Sequence, residues 1–339
     1  MQPPLDWQRL PEHALMEISP SRMGLSIADT ALEPLIQKLY GELAAKDLVF
    51  QPPCFLADEW FCPVGVPAIG IPFYLAHPRL RRLEQKMILE VEGGTKTEFM
   101  KLIRHEAGHA YSYAFGFQRR KAWRNLFGSA ATEYPDTYQA KPYSKSYVTH
   151  LENWYAQSHP DEDFAETFAI WLTPGLNWRQ RYRGWKALEK LEYVNRIMTE
   201  VAGKSAGIPT AKELASWAGI GFKLKTYFQK KKKLYEDCYP DFYDRDLKTL
   251  FTDLPLESSN VSAREYLKKS YTPLVRAVAA WTKEKQYTID QLLLRLIRRV
   301  AELKLYVRQG SADMDLQLAA YISTLVNTHL FTGKFKRRT

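Results

Sequence analysis

Cysteine is scarce in this chain: Cys54, Cys62 and Cys238 are the only three among 339 residues. A set that is odd and sparse cannot build a disulfide scaffold, and it suits a reducing compartment. Long apolar runs are missing, and nothing approaches the roughly 20 residues that span a bilayer. The start, Met1-Gln2-Pro3-Pro4-Leu5-Asp6-Trp7, has no basic segment followed by an apolar one, so no signal peptide is expected. These absences predict a cytoplasmic protein that crosses no membrane, with unconventional export left open. No repeat of fixed period is present, which excludes a solenoid. Residues 176–339 carry neither a catalytic signature nor a clear strand signal.

What remains is ordinary for a globular protein: 45% hydrophobic and 25% charged residues, in a chain long enough for two or three domains. The formal net charge is +10. Much of it lies in Lys230-Lys231-Lys232-Lys233, Arg298-Arg299 and the tail Lys334 to Arg338. No nucleic-acid motif accompanies these runs, so solvated helix faces are expected in preference to a nucleic acid or another acidic partner.

The chemistry gathers at His105-Glu106-Ala107-Gly108-His109. Thr95 to Gly116 reads as one helix. Thr95 and Glu98 have capping-box spacing, and Phe99, Leu102, Ile103, Ala110 and Ala114 recur at helical spacing. His105 and His109, four apart, are neighbours on that cylinder, with Cβ atoms about 5–6 Å apart. Two imidazoles so placed can share one zinc ion at about 2.0–2.1 Å. Glu106, one step round, can reach a zinc-bound water without being a ligand.

Before this helix, residues 1–50 form a helical lead-in, with Ser26 to Leu43 kinked at Pro34 or divided there into two shorter helices. Residues 51–80 are broken by proline and glycine into short strands and turns. Proline in Ile71-Pro72-Phe73 places that strand at a sheet edge, open to strand addition by an extended peptide or simply irregular. Arg79 to Glu92 resumes helical spacing. After the metal helix, residues 117–150 suggest surface loops with a short helix, and His150 reads as a packing residue.

Ser158 and Pro160 mark the start of a second helix, and Pro174-Gly175 mark its end. Phe164, Ala165, Phe168, Ala169 and Leu172 form its apolar stripe, with Glu162 and Glu166 along the edge. Asp161 suits the first turn, and Asp163 is expected to face solvent. Glu166 lies a full turn deeper, where dipole preference explains it poorly.

These two helices resemble those of gluzincin metallopeptidases, in which two histidines of one helix and a glutamate of another hold zinc. The second helix is similar to that of lethal-factor and Mlc-titration-factor type peptidases, where Glu, two intervening residues, Ala and Glu open the helix. Glu162-Asp163-Phe164-Ala165-Glu166 has that spacing, which implies Glu162 as the third ligand. A tyrosine seven residues before the ligand implies an oxyanion donor at Tyr155. The segment also resembles bacterial proteins described as zinc-binding metallopeptidases. The resemblance covers roughly residues 55–175. Ser112 and Phe115 occupy the Gly and third His positions of a metzincin and exclude that class.

The reading is therefore an α+β, zincin-like metallopeptidase domain followed by a helical C-terminal region. It divides into a lead-in over 1–50, a catalytic domain over 51–202 and a helical region over 203–339, with the last boundary near Gly203–Gly207. The expected cofactor is one Zn2+ ion on His105, His109 and Glu162. Glu106 is the expected base, Tyr155 the oxyanion donor, and Glu166 the partner that orients a ligand histidine. The expected reaction is hydrolysis of a peptide or protein. The alternatives are a zinc-binding protein without turnover, associated with nucleic acid or another acidic partner, and a zinc hydrolase of a non-peptide substrate. In the C-terminal half, Trp178 to Val201, Thr210 to Ala218, Ala263 to Trp281 broken at Pro273, Thr288 to Val307 and Ala312 to Leu330 read as helices. Thr288 and Gln291 have capping-box spacing, and Tyr235 to Tyr243 reads as an aromatic loop.

Overall fold

The computed structural model describes residues 6–135, 137–138, 140–235, 244–253, 261–308, 313–332 and 335–336. Cys238, nearly all of the Tyr235–Tyr243 loop and most of the basic tail lie outside them. The chain is mostly helical, with one small parallel sheet, and so falls in the α+β class. No helix among the described residues is long and apolar enough to cross a membrane.

The chain divides into two compact units. The first comprises Met1–Lys86, Val91–Tyr227 and Phe335–Thr339; the second comprises Met87–Glu90 and Phe228–Lys334. Gly203–Gly207 lies within the first unit.

In the first unit, helix Glu33–Ala44 buries Ile36, Leu39 and Leu43. Pro34 occupies its first turn and does not kink it, because first-turn N–H groups have no helical partner to lose. Residues 26–32 are accordingly not helical. Strands β1 (Cys54–Ala57) and β2 (Ile69–Pro72) pair in parallel, Cys54 against Ile69 and Ala57 against Pro72. The expected open edge is closed. All of β2 is buried, and the Gly70 N–H donates to the Phe61 carbonyl at 2.8 Å. Residues 60–64, not β2, therefore face the cleft described below. The next helix, Pro78–Ile88, stops short of Glu92 because Leu89 turns left-handed at φ 67°.

The motif helix, Lys96–Phe115, begins with the complete Thr95–Glu98 capping box and ends at Gly116, whose φ of 63° suits glycine. The acidic helix, Pro160–Leu172, is buried from Asp161 to Leu172. Its N-cap is His159 and not Ser158: the Asp161 N–H donates to His159 Nδ1, while Ser158 Oγ donates to the Tyr155 carbonyl. The two helices pack face to face and touch at Gly108, where an added Cβ would lie 2.8 Å from the Ala165 Cα. Tyr111 stacks on Phe168 nearby, with ring centroids 5.3 Å apart.

Two buried ion pairs fix this helix pair to its neighbours. Arg104 of the motif helix forms a bidentate pair with Glu42, both bonds 2.7 Å. Asp163 does not face solvent: it is buried and meets Lys190 of helix Ala187–Val201 at 2.5 Å. The run expected over Trp178 to Val201 is in fact two helices, Trp178–Arg181 and Ala187–Val201, with Gly184 at φ 79° between them.

The second unit is built from Asp244–Leu250, Ala263–Lys269, Tyr271–Thr282, Gln286–Glu302 and Met314–Thr332. Its break falls at Ser270 and not Pro273, because the proline is accommodated in the first turn of the following helix. Thr288 does not cap: its helix begins at Gln286, and Thr288 is buried inside it.

Candidate metal centre

The motif helix and the acidic helix bring three donor atoms to one point. His105 Nε2 lies 2.9 Å from Glu162 Oε2, His109 Nε2 lies 3.2 Å from the same oxygen, and the two nitrogens are 3.2 Å apart. All three side chains are buried. A second glutamate, Glu166, is on the other side of His105. It accepts from His105 Nδ1 at 2.9 Å through Oε1. Its Oε2 accepts from the backbone N–H groups of Leu151 at 2.8 Å and His150 at 3.3 Å. Glu166 thus occupies the far nitrogen of His105, fixes the ring, and leaves Nε2 facing the cluster.

The electrostatics follow from burial and pairing. Burial opposes charge on Glu162, but His109 and His105 outweigh it and hold its pKa well below the usual glutamate value. Burial likewise opposes charge on Glu166, and the bond to His105 again lowers its pKa. His105 pays for its burial, yet its bonds to Glu162 and Glu166 lift it to about 10. A metal there must displace the proton those bonds favour. Glu106 differs: burial raises its carboxyl above the usual glutamate range, although both histidines pull it down.

Glu106 is buried and lines the cavity beside the cluster, and its carboxyl makes no hydrogen bond among the described residues. A carboxylate so placed is available to a water or substrate atom. Tyr155 lines the same cavity from a short turn, with its ring centroid 5.8 Å from that of His105. The cavity measures about 70 Å³, room for several waters. Trp60, Phe61, Cys62 and Val64 form one wall, and Tyr113 and Tyr134 another. Burial, then Glu106, pushes the Cys62 thiol well above its usual pKa, so it is a poor nucleophile.

The donor set fits a zinc ion. Tetrahedral zinc with bonds of about 2.0–2.1 Å separates its ligands by about 3.3 Å, close to the spacings here. Two imidazole nitrogens 3.2 Å apart, one already committed to donate through its other nitrogen, need a cation or proton between them. Two His and one Glu with an adjoining cavity leave room for a further ligand, as catalytic zinc sites require.

The structure therefore brings His105, Glu106, His109, Glu162, Tyr155 and Glu166 together. Several participants were invisible in the sequence. The Tyr134 hydroxyl donates to Glu162 Oε1 at 3.1 Å, and its ring stacks on His159 at 3.6 Å. His150, expected only to pack, donates its N–H to Glu166 and bonds the Lys101 carbonyl through Nε2 at 2.9 Å. Asp161 sits in the first turn as expected, with its Oδ1 buried and without a hydrogen-bond partner among the described residues. No periodic or motif signal marks these residues, because each acts across a fold contact. Neither a curated protein nor a solved structure matches the chain. Residues 95–175, which hold both helices, match a family model described as "Putative zinc-binding metallo-peptidase".

Proposed function

We propose that the chain is a zinc-dependent metallopeptidase of the gluzincin type, built on a zincin-like domain. The observation that carries this is the convergence of His105, His109 and Glu162 beside an unpartnered, buried Glu106. The family match over both helices supports it, and the Glu162–Glu166 spacing agrees with lethal-factor and Mlc-titration-factor type peptidases. His105, His109 and Glu162 would hold the ion. When bound, zinc supplies Lewis acidity, polarising a carbonyl and lowering the pKa of a water towards about 7.

The chain supplies the rest. Glu106 accepts the proton of the attacking water, and its raised pKa makes it a better base than an exposed glutamate. The same carboxyl then carries that proton to the leaving amine. Tyr155 donates to the oxygen that becomes negative as water adds. Glu166 keeps His105 in the tautomer that presents Nε2. Tyr134 holds Glu162 through the oxygen not shared with the histidines. A free Glu106 argues against a zinc site without turnover, since a structural zinc needs no general base.

The test is a metal assay of the purified protein followed by exposure to a random peptide library. Cleavage that a chelator abolishes and zinc restores supports the proposal. One bound zinc with no cleaved peptide contradicts it.

A further inference from the structure

A second cavity, of about 450 Å³, opens on another face of the motif helix. Three elements bring cations to it: Lys38 from helix Glu33–Ala44, Lys96 and Lys101 from the motif helix, and Arg181 from Trp178–Arg181. No carboxylate lines it. Arg104 also reaches it but is neutralised by Glu42. None of the other four has an ion-pair partner among the described residues. Elsewhere in this unit some exposed cations are matched, as Arg120 with Glu200, Lys86 with Glu12 and Lys223 with Glu17, and others such as Arg22, Lys121 and Arg124 are not, but those lie outside this lining. Arg179 pairs with Glu192, while Arg181, two residues on, does not. Solvated surface charge does not require four unmatched cations to gather on one concave site. Such a cleft concentrates field and draws a counter-ion.

The rest of the lining narrows the ligand. The hydroxyls of Thr97 and Thr149 add hydrogen-bonding groups at the cationic rim. Met100 and Ile170, both buried, give an apolar floor. The volume lies in the range of small-molecule sites, about 300–1,000 Å³. We propose that this cavity binds a small organic phosphate, its anionic group held by Lys38, Lys96, Lys101 and Arg181 and its apolar part against Met100 and Ile170. This inference stands on its own residues and does not depend on the metal centre.

The test is calorimetric titration of the full-length, zinc-loaded protein with phenyl phosphate and, separately, inorganic phosphate. Saturable one-to-one binding is expected, tighter for phenyl phosphate because only it covers the apolar floor. The double variant Lys101→Gln, Arg181→Gln should weaken it by about tenfold or more, as loss of charged donors does. The charge-keeping pair Lys101→Arg, Arg181→Lys should retain it. Thermal melting of both variants checks that they are folded, which substitution of part-exposed side chains should preserve. The proposal is overturned by an absence of saturable binding, by equal affinity in the Gln variant, or by equal affinity for the two probes. It is also overturned if the bound phosphate is lost on zinc removal, which would place it on the metal.

Discussion

Gly108 stands between the two histidines of the motif, and replacing it by alanine tests the helix contact that builds the site. An alanine Cβ there would lie 2.8 Å from the Ala165 Cα and 3.1 Å from both the Ala165 carbonyl oxygen and the Phe168 Cβ. Ordinary contact begins near 3.4 Å, so the closest pair is about 0.6 Å too short (3.4 minus 2.8). The obstacle is backbone and cannot rotate away, so the helices must separate. Overpacking of this kind costs about 1–3 kcal/mol. Alanine returns up to about 1 kcal/mol of helix propensity. The net expectation is a loss of about 1 kcal/mol, where an unobstructed helical glycine would show a gain of similar size. His105 and His109 lie on one side of the gap and Glu162 on the other, so zinc affinity should fall as well. A drop on the order of tenfold is expected, the size seen when groups that position ligands are lost. Denaturant unfolding and a competitive zinc titration measure the two effects. A Gly108→Ala protein that is more stable than wild type and binds zinc equally well refutes the close-contact argument.

Other expectations follow from the same geometry. Glu162→Ala should abolish stoichiometric zinc binding, whereas Glu166→Ala should keep it with affinity weakened about 10–100-fold; a zinc titration showing the reverse order would exchange their roles. Tyr155→Phe should retain fold and zinc while slowing turnover about a hundred- to thousandfold, the value of one oxyanion donor, and unchanged steady-state kinetics would remove Tyr155 from the reaction. Lys190→Met strands the buried Asp163 carboxylate and should cost about 3–5 kcal/mol in urea unfolding, while the joint change with Asp163→Leu should recover most of that. Equal unfolding midpoints for Lys190→Met and wild type would show that the pair contributes nothing.

What the sequence displays of this site is its local part. The four-residue spacing of His105 and His109 is a property of one helix, and so is the Thr95–Glu98 cap. Gly116 likewise ends the helix by its own backbone preference. Helix existence was legible for the same reason, since apolar spacing reports which face is buried. What was not legible depends on contacts between distant segments. Asp163 looks like a solvent-facing acid until Lys190, 27 residues on, is folded against it. His150 looks inert until residues 150–151 lie across Glu166. Pro34 and Pro273 were read as breaks where each sits in a first turn that tolerates it. Thr288 and Gln291 have capping spacing, yet the helix begins two residues earlier and buries the threonine. The strand at Ile71-Pro72 was legible, but nothing in Ile71-Pro72-Phe73 reveals that Phe61 bridges Gly70 and covers it.

In the proposed reaction Glu106 transfers the proton beside a zinc ion that it does not hold. The most direct test is Glu106→Gln, which keeps side-chain volume while removing the base. Zinc content by atomic absorption and peptide cleavage should be measured on the same purified sample. One zinc per chain with hydrolysis nearly abolished is the predicted result. Turnover close to wild type, at the same zinc content, would contradict the account.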